Sequence, residues 1–226
     1  MKIKIKELIE FKDYSERKKQ NFVLKLRLPV VVLEESDKGG GDYWIRGISA
    51  IVASCKENNN EKIVQKINDI ERNKNTTTNS RTIKQYEKNL EILNTFRNFN
   101  FRDLFPENYE ILKKTIKKGE IIVHNNFEIK VQISLPFTFV ESELTKVGVI
   151  WFVAIKNGYS RSQLGIFAEL AYNFLTSNYS EIYEVCPENI LIVDAYSTSS
   201  VSYSMVQNGQ IPSQLTSTLT EISNTL

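Results

Sequence analysis

Histidine is nearly missing from this chain: one residue, His124, among 226. That excludes a His-rich metal site, and any Ser/His/Asp triad would have to be built on His124, which reads as structural. Cysteine is almost as scarce. Cys55 and Cys186 sit in the apolar stretches SAIVASC and EIYEVCP, so a disulfide scaffold is excluded and both read as reduced core residues. No stretch approaches the run of about 20 apolar residues that a membrane span requires. The opening MKIKIKELIEF lacks the apolar segment of a signal peptide, so a cytoplasmic protein with no membrane partner is expected. Nor is there a charge excess. Lys and Arg number 29 against 27 Asp and Glu, which argues against both a polyanion-wrapping protein and a strongly acidic one.

What is present is an ordinary globular composition, 41% hydrophobic, 25% charged and 11% aromatic. At this length one domain can bury a core without staples. The near-cancelling charge is unevenly placed. Residues 1–30 carry nine Lys/Arg against four acids, whereas residues 161–226 carry Arg161 alone against Glu169, Glu181, Glu184, Glu188, Asp194 and Glu221. Two readings are open: solvated helix faces biased by chance, or a basic N-terminal face that meets an anion while the acidic end turns elsewhere.

Apolar spacing predicts the elements. A short strand or turn opens the chain, then a helix runs from about Asp13 to Lys25, capped by Asp13 or Ser15, with Phe22, Val23 and Leu26 inward. Leu28–Leu33 reads as a strand, and after the loop ESDKGGG a helix capped by Asp42 buries Trp44, Ile45, Ile48, Ile51, Val52 and Cys55. Helices over Glu61–Arg72 and Arg81–Phe99, the latter capped by Ser80, form an antiparallel pair. From Glu120 the period changes to 2. Glu120–Val123 and the turn HNN lead into a strand in which Ile129, Val131, Ile133, Leu135, Phe137 and Phe139 share one buried face. Val147–Lys156 is a central strand, Ser160-x-x-Gln163 a capping box, and Asn189–Tyr196 a second strand reached by a right-handed crossover. The last thirty residues hold thirteen Ser/Thr and end in a short helix, Ser213–Asn224.

The expected architecture is thus a single α/β domain. A helical N-terminal half (1–104) packs on a mixed sheet of about five strands (105–196), followed by a Ser/Thr-rich segment (197–226).

Three features invite a functional reading. Gly39, Gly40 and Gly41 precede a helix, yet they fit neither dinucleotide nor P-loop spacing and Asp42 would repel an anion, so no nucleotide cofactor is expected. Asp194 is the single charge within NILIVDAY, at the C-terminal end of a parallel strand where ligand crevices of open α/β sheets lie; a ligand-binding role and a structural one, hydrogen-bonded by the following Ser/Thr-rich loop, are both open. Lys2, Lys4, Lys6, Arg17, Lys18, Lys19, Lys25 and Arg27, with Phe11, Tyr14 and Phe22 interleaved, are either a candidate nucleic-acid face or a solvated helix surface.

From residue 103 the expected order is helix, three strands, helix, strand, and the central strand ends Ala154-Ile155-Lys156. This αβββαβ succession over about residues 105–196 resembles the PD-(D/E)XK, restriction-endonuclease-like nuclease superfamily. The resemblance implies that Lys156 is the motif lysine. It also implies an aspartate after a proline on the preceding strand, where Pro136 is followed by Phe137, and an acid two residues before the lysine, where Ala154 stands. Substitute carboxylates would be Glu128 on that strand, Glu141 or Glu143 beyond it, and Glu107 or Glu110 in the preceding helix. Gln163-x-x-x-Phe167 resembles the Gln-x-x-x-Tyr of the RecB-like branch, although the capping box and the buried stripe account for both residues. A site that activates water needs two or three converging oxygens around Mg²⁺.

The resemblance therefore implies a catalytically degenerate, DNA- or RNA-binding protein of nuclease-like fold, with Lys156, Glu128, Glu110 and Gln163 as the residues of the former site and no resident metal. Two alternatives stay open: a protein-interaction or assembly subunit, homo-oligomeric or with a partner chain, and an active nuclease with rearranged carboxylates holding Mg²⁺. The Lys/Asn-rich composition is similar to that of AT-rich bacterial genomes and their mobile elements, which sets phage defence or its counter-measures as the expected context.

Overall fold

The computed structural model describes residues 1–28, 43–113 and 121–226. The expected strand Leu28–Leu33, the glycine run and the cap Asp42 lie outside these residues, apart from exposed Leu28. The chain is α/β, with about half of it helical, as the patterning predicts.

A two-residue strand, β1 (Lys2–Ile3), leads into helix α1 (Ile5–Phe11), where sequence reading had only a strand or turn. Seven residues are a marginal helix alone; burial of Leu8, Ile9 and Phe11 stabilises it, a tertiary effect. Helix α2 is Glu16–Arg27 with Ser15 at the N-cap, so the expected start at Asp13 is three residues early. Helices α3 (Ile45–Glu57), α4 (Glu61–Thr76) and α5 (Ser80–Thr95) follow. Trp44, not Asp42, is at the N-cap of α3, and Ile45, expected inside, is exposed. Asn79 rather than Ser80 caps α5, its side chain accepting from Thr82 N at 3.0 Å.

A 3-10 turn, Phe101–Leu104, precedes β2 (Tyr109–Ile111), so the helix expected to carry Glu107 and Glu110 is absent: Glu107 lies in a turn and Glu110 on an edge strand. The hairpin of β3 (Ile121–His124) and β4 (Phe127–Lys130) is as expected, turning through Asn125 and Asn126 with φ of 48° and 65°, a conformation asparagine tolerates. The single strand expected over 129–139 is two strands in two sheets, β4 and β5 (Leu135–Glu141). Ile129, Val131 and Ile133 enter one core, whereas Leu135, Phe137 and Phe139 enter another. Alternation reports burial but does not say which core does the burying, and on β5 Pro136 and Thr138 are buried as well.

Strand β6 (Leu144–Val153), helix α6 (Arg161–Tyr179) and strand β7 (Glu184–Asp194) form the expected parallel crossover, with Val153 in register with Asp194. The chain closes with β8 (Ser200–Ser202), α7 (Tyr203–Gln207) and α8 (Leu215–Thr225). From residue 101 the succession is thus a 3-10 turn, five strands, a helix and a strand, instead of helix, three strands, helix, strand.

The larger sheet is mixed, in the order β2-β5-β6-β7-β8; the smaller is β1-β4-β3. Successive residues of β6 divide between two cores: Val147, Val149, Trp151 and Val153 face α6, α1 and α8, while Ile150 and Phe152 face α3–α5. This two-sided burial explains the near-continuous apolar run, and each large side chain so buried contributes about 2 kcal/mol. Burial pushes the Cys55 thiol up to about 12 and the Cys186 thiol in the same direction; both are free. Among the described residues no helix is long and apolar enough to cross a membrane.

Candidate functional site: a lysine-lined groove

The two cores meet beyond the C-terminal ends of β6 and β7, and a groove opens there. Open α/β sheets place ligands in this position, outside the carboxyl ends of parallel strands. One wall is the β1–α1 junction with Lys4, Ile5 and Lys6; the opposite wall is Tyr43 and Trp44 at the start of α3 with Lys88 from α5. The loop after β6 closes the end with Ala154, Ile155, Lys156 and Tyr159. Lys130, Gln132 and Ser134, from the stretch that passes from the small sheet to the large one, form its base with Trp151 and Phe152. Two adjoining hollows of about 390 and 680 Å³ share Lys6, Trp44, Gln132, Ala154 and Tyr159, so the recess is continuous.

Five lysines line it, Lys4, Lys6, Lys88, Lys130 and Lys156, and no carboxylate does so among the described residues. Nearby acids have other tasks. Glu7 accepts the Lys4 backbone N–H at 3.1 Å at the start of α1, and Glu10 stands 3.7 Å from Lys6 along α1 while also accepting from Tyr14. Lys88 lies over the rings of Tyr43 and Trp44 at 5.1 and 5.9 Å, so its positive charge is held on an aromatic wall.

Two buried polar residues hold the walls. Asn89, fully buried, accepts from Gly47 N at 2.7 Å and donates to Tyr43 O at 2.6 Å and Gln85 O at 2.8 Å, tying the start of α3 to α5. Asp194, also fully buried, accepts from Ser197 N at 3.1 Å and Ser197 Oγ at 2.6 Å, both through Oδ2; Oδ1 has no hydrogen-bond partner. The loop that carries Lys156 and Tyr159 rests on this carboxylate through Gly158. Its φ is +77°, and an added Cβ would lie 2.5 Å from Oδ2, so only glycine fits.

No family model, curated protein or solved structure matches this chain. The site therefore stands on geometry alone.

Of the residues the sequence singled out, Lys4, Lys6 and Lys156 come together in the groove, and Asp194 supports its end. Glu128 is on the small sheet, 3.7 Å from Lys2. Glu110 is on β2, opposite Thr138 of β5, which in turn faces Val147 of β6. Six residues of strand separate Val147 from Val153, about 20 Å, and Lys156 lies further on. Gln163 closes its capping box, accepting from Ser160 N at 3.0 Å, and Phe167 is buried against Trp151 and Tyr159. Glu110 and Glu128 thus stand on different sheets; among the described residues no group of three or more His, Cys, Asp or Glu is placed to hold a metal.

Arg17, Lys18, Lys19 and Lys25 are on α2 and are not among the groove-lining residues. Lys19 bonds Glu221 of α8 at 2.7 Å and Glu16 at 3.2 Å; Lys12 bonds Glu221 at 3.1 Å; Lys18 lies 3.6 Å above the Tyr14 ring. One carboxylate of the acidic end, Glu221, docks on the basic face. Sequence reading missed Lys88, Lys130, Asn89 and the groove aromatics. Each is unremarkable in its own segment, and no local signal marks that the segments converge.

Proposed function

We propose that the protein binds nucleic acid in this groove and does not hydrolyse it. The observation that carries the reading is the lining itself, lysines from four separate segments converging with no described carboxylate among them. Convergent cations on a recess attract phosphates and release counterions, the sequence-independent term of nucleic-acid affinity. The placement of Glu110 and Glu128 on different sheets supports the non-cleaving half, because water activation needs oxygens gathered beside the lysine.

Anisotropy of a labelled oligonucleotide tests it. Binding is expected at about 50 mM salt and to weaken steeply as salt rises; no binding at that salt overturns the reading. Plasmid incubated with Mg²⁺ or Mn²⁺ is expected to stay intact, and cleavage abolished by Lys156→Ala would establish a nuclease instead.

A second reading, an assembly subunit, has one observation in its favour. Val140, Leu144 and Ile182 are exposed by 63%, 52% and 71% at the other end of the large sheet, beside the start of β6. Sedimentation across a concentration series decides it: an oligomer that dissociates on Leu144→Asp supports assembly, and a monomer throughout removes it.

A further inference from the structure

Resting on the nucleic-acid reading, we infer that the groove takes a single strand, with the phosphates on the lysines and the bases against Tyr43 and Tyr159. Three observations select an unpaired strand over a duplex.

The cations line a recess. A duplex presents convex ridges of phosphate and is read by an element that projects into its groove, about 12 Å wide on the major side. Here Lys6, Lys88, Lys130 and Lys156 line a hollow from four separate segments. A flexible strand can enter such a hollow; a stiff duplex can only lie across its rim.

The cationic walls also carry aromatic rings. Tyr43 stands with Trp44 and Lys88 on one side, and Tyr159 stands beside Lys156 at the closed end. Tyr43 and Tyr159 are half-buried, backed by protein rather than sunk in it: Arg81 Nε donates to the Tyr43 hydroxyl at 3.3 Å, and Tyr159 packs edge-on to Phe167 at 5.1 Å between centroids. A basic groove interleaved with aromatic rings is the arrangement by which proteins hold single strands, because every base has a stackable face. In a duplex those faces are occupied, and exposing one costs a few kcal/mol of unstacking and unpairing.

The walls are held before any ligand arrives. Asn89 satisfies both its amide and its carbonyl in fixing the Tyr43 wall, and Gly158 seats the Lys156–Tyr159 loop on buried Asp194. Preformed rings and cations lose little freedom on binding, which favours capture of a flexible ligand.

The experiment measures affinities of the full chain for a labelled single-stranded oligo(dT), the same length of duplex, and a mononucleotide competitor at equal phosphate concentration. The single strand is expected to bind at least about tenfold more tightly than the duplex and to resist the mononucleotide. Tyr159→Ala is expected to weaken single-strand binding by about tenfold with an unchanged salt slope, whereas Lys156→Ala reduces that slope by about 0.7. Tyr43→Ala provides a second ring variant, and the thermal melt of each variant identifies any that is unfolded. Equal or tighter binding of duplex overturns the single-strand inference while leaving the nucleic-acid reading intact. Displacement by the mononucleotide overturns it in favour of a small-molecule site, and absence of binding to either polymer overturns both.

Discussion

Two sets of lysines in this protein have the same composition and opposite surroundings. At the end of α1 and on α2, Lys12 and Lys19 converge on Glu221 of α8, and Lys18 rests on Tyr14. In the groove, Lys4, Lys6, Lys88, Lys130 and Lys156 come from separate segments and share a lining without a described carboxylate. The first set is dense in the sequence and largely used to attach the C-terminal helix; the second is dispersed in the sequence and dense in space. Local charge density along a chain is therefore a poor guide to local charge density on its surface. Ion pairs dock one element on another, whereas the groove gathers cations from separate segments around one recess.

The largest effect that would break this contrast is loss of the groove wall. Asn89→Ala leaves Gly47 N and Tyr43 O without partners in a buried setting and is expected to cost about 3 kcal/mol in denaturant unfolding, together with single-strand affinity. An unchanged stability would mean that Asn89 does not hold the wall. Next comes charge reversal. The pair Lys88→Glu and Lys156→Glu is expected to weaken oligonucleotide binding by roughly 100-fold, whereas Arg17→Glu and Lys25→Glu on α2 change it by less than about threefold. Equal losses from both pairs would erase the distinction between the two sets.

A smaller effect concerns how the first set keeps its acid. Buried Glu169 on α6 accepts from Gln214 N at 3.1 Å, Leu215 N at 2.9 Å and the Ser213 hydroxyl, capping α8 from another helix. Glu169→Ala is expected to cost about 2 kcal/mol and to loosen α8, raising amide exchange over residues 215–225; unchanged exchange there would contradict the capping role.

The smallest effect is the Glu221 pairing itself. Hydrogen bonding, first to Lys19 and then to Lys12, holds the Glu221 carboxyl below the usual carboxylate range, and Glu221 followed by Glu16 holds the Lys19 ammonium above its ordinary value. A lowered acid stabilises the fold above its unfolded value and loses that contribution as pH falls through the folded one. A raised base stabilises it below its unfolded value and loses that contribution as pH rises through the folded one. Glu221→Gln should therefore lower the melting temperature by a few degrees at neutral pH, with the gap closing in acid and again in strong alkali. A gap independent of pH would show that packing, not charge, attaches α8.

Legibility in the sequence followed the range of the interaction. The β6–α6–β7 crossover, the Ser160–Gln163 capping box and the Asn125–Asn126 hairpin were readable because each is determined within a few residues. Short α1 was not, since its seven residues gain stability from packing against the distant helices α6 and α8. The strand over 129–139 was overextended because its period of 2 continues unbroken while the chain changes sheet near Val131–Ser134. In the candidate site, Lys6 and Lys156 were singled out for reasons of motif and charge, but Lys88 and Lys130 occupy a solvated helix position and a strand end that look like any other.

By itself, the sequence determined the α/β class, the apolar central strands, the reduced cysteines and the absence of acids at Ala154 and after Pro136. All of these are properties of residue type and short period, which side-chain chemistry and backbone geometry dictate locally. Only the tertiary structure decided which core buried each half of the 129–139 stretch, that Glu221 pairs with Lys12 and Lys19 of the N-terminal segment, and that lysines as far apart as Lys4 and Lys156 share one groove. The physical reason is that charges and rings act over a few ångströms of space, and chain separation places no limit on which of them packing brings within that distance.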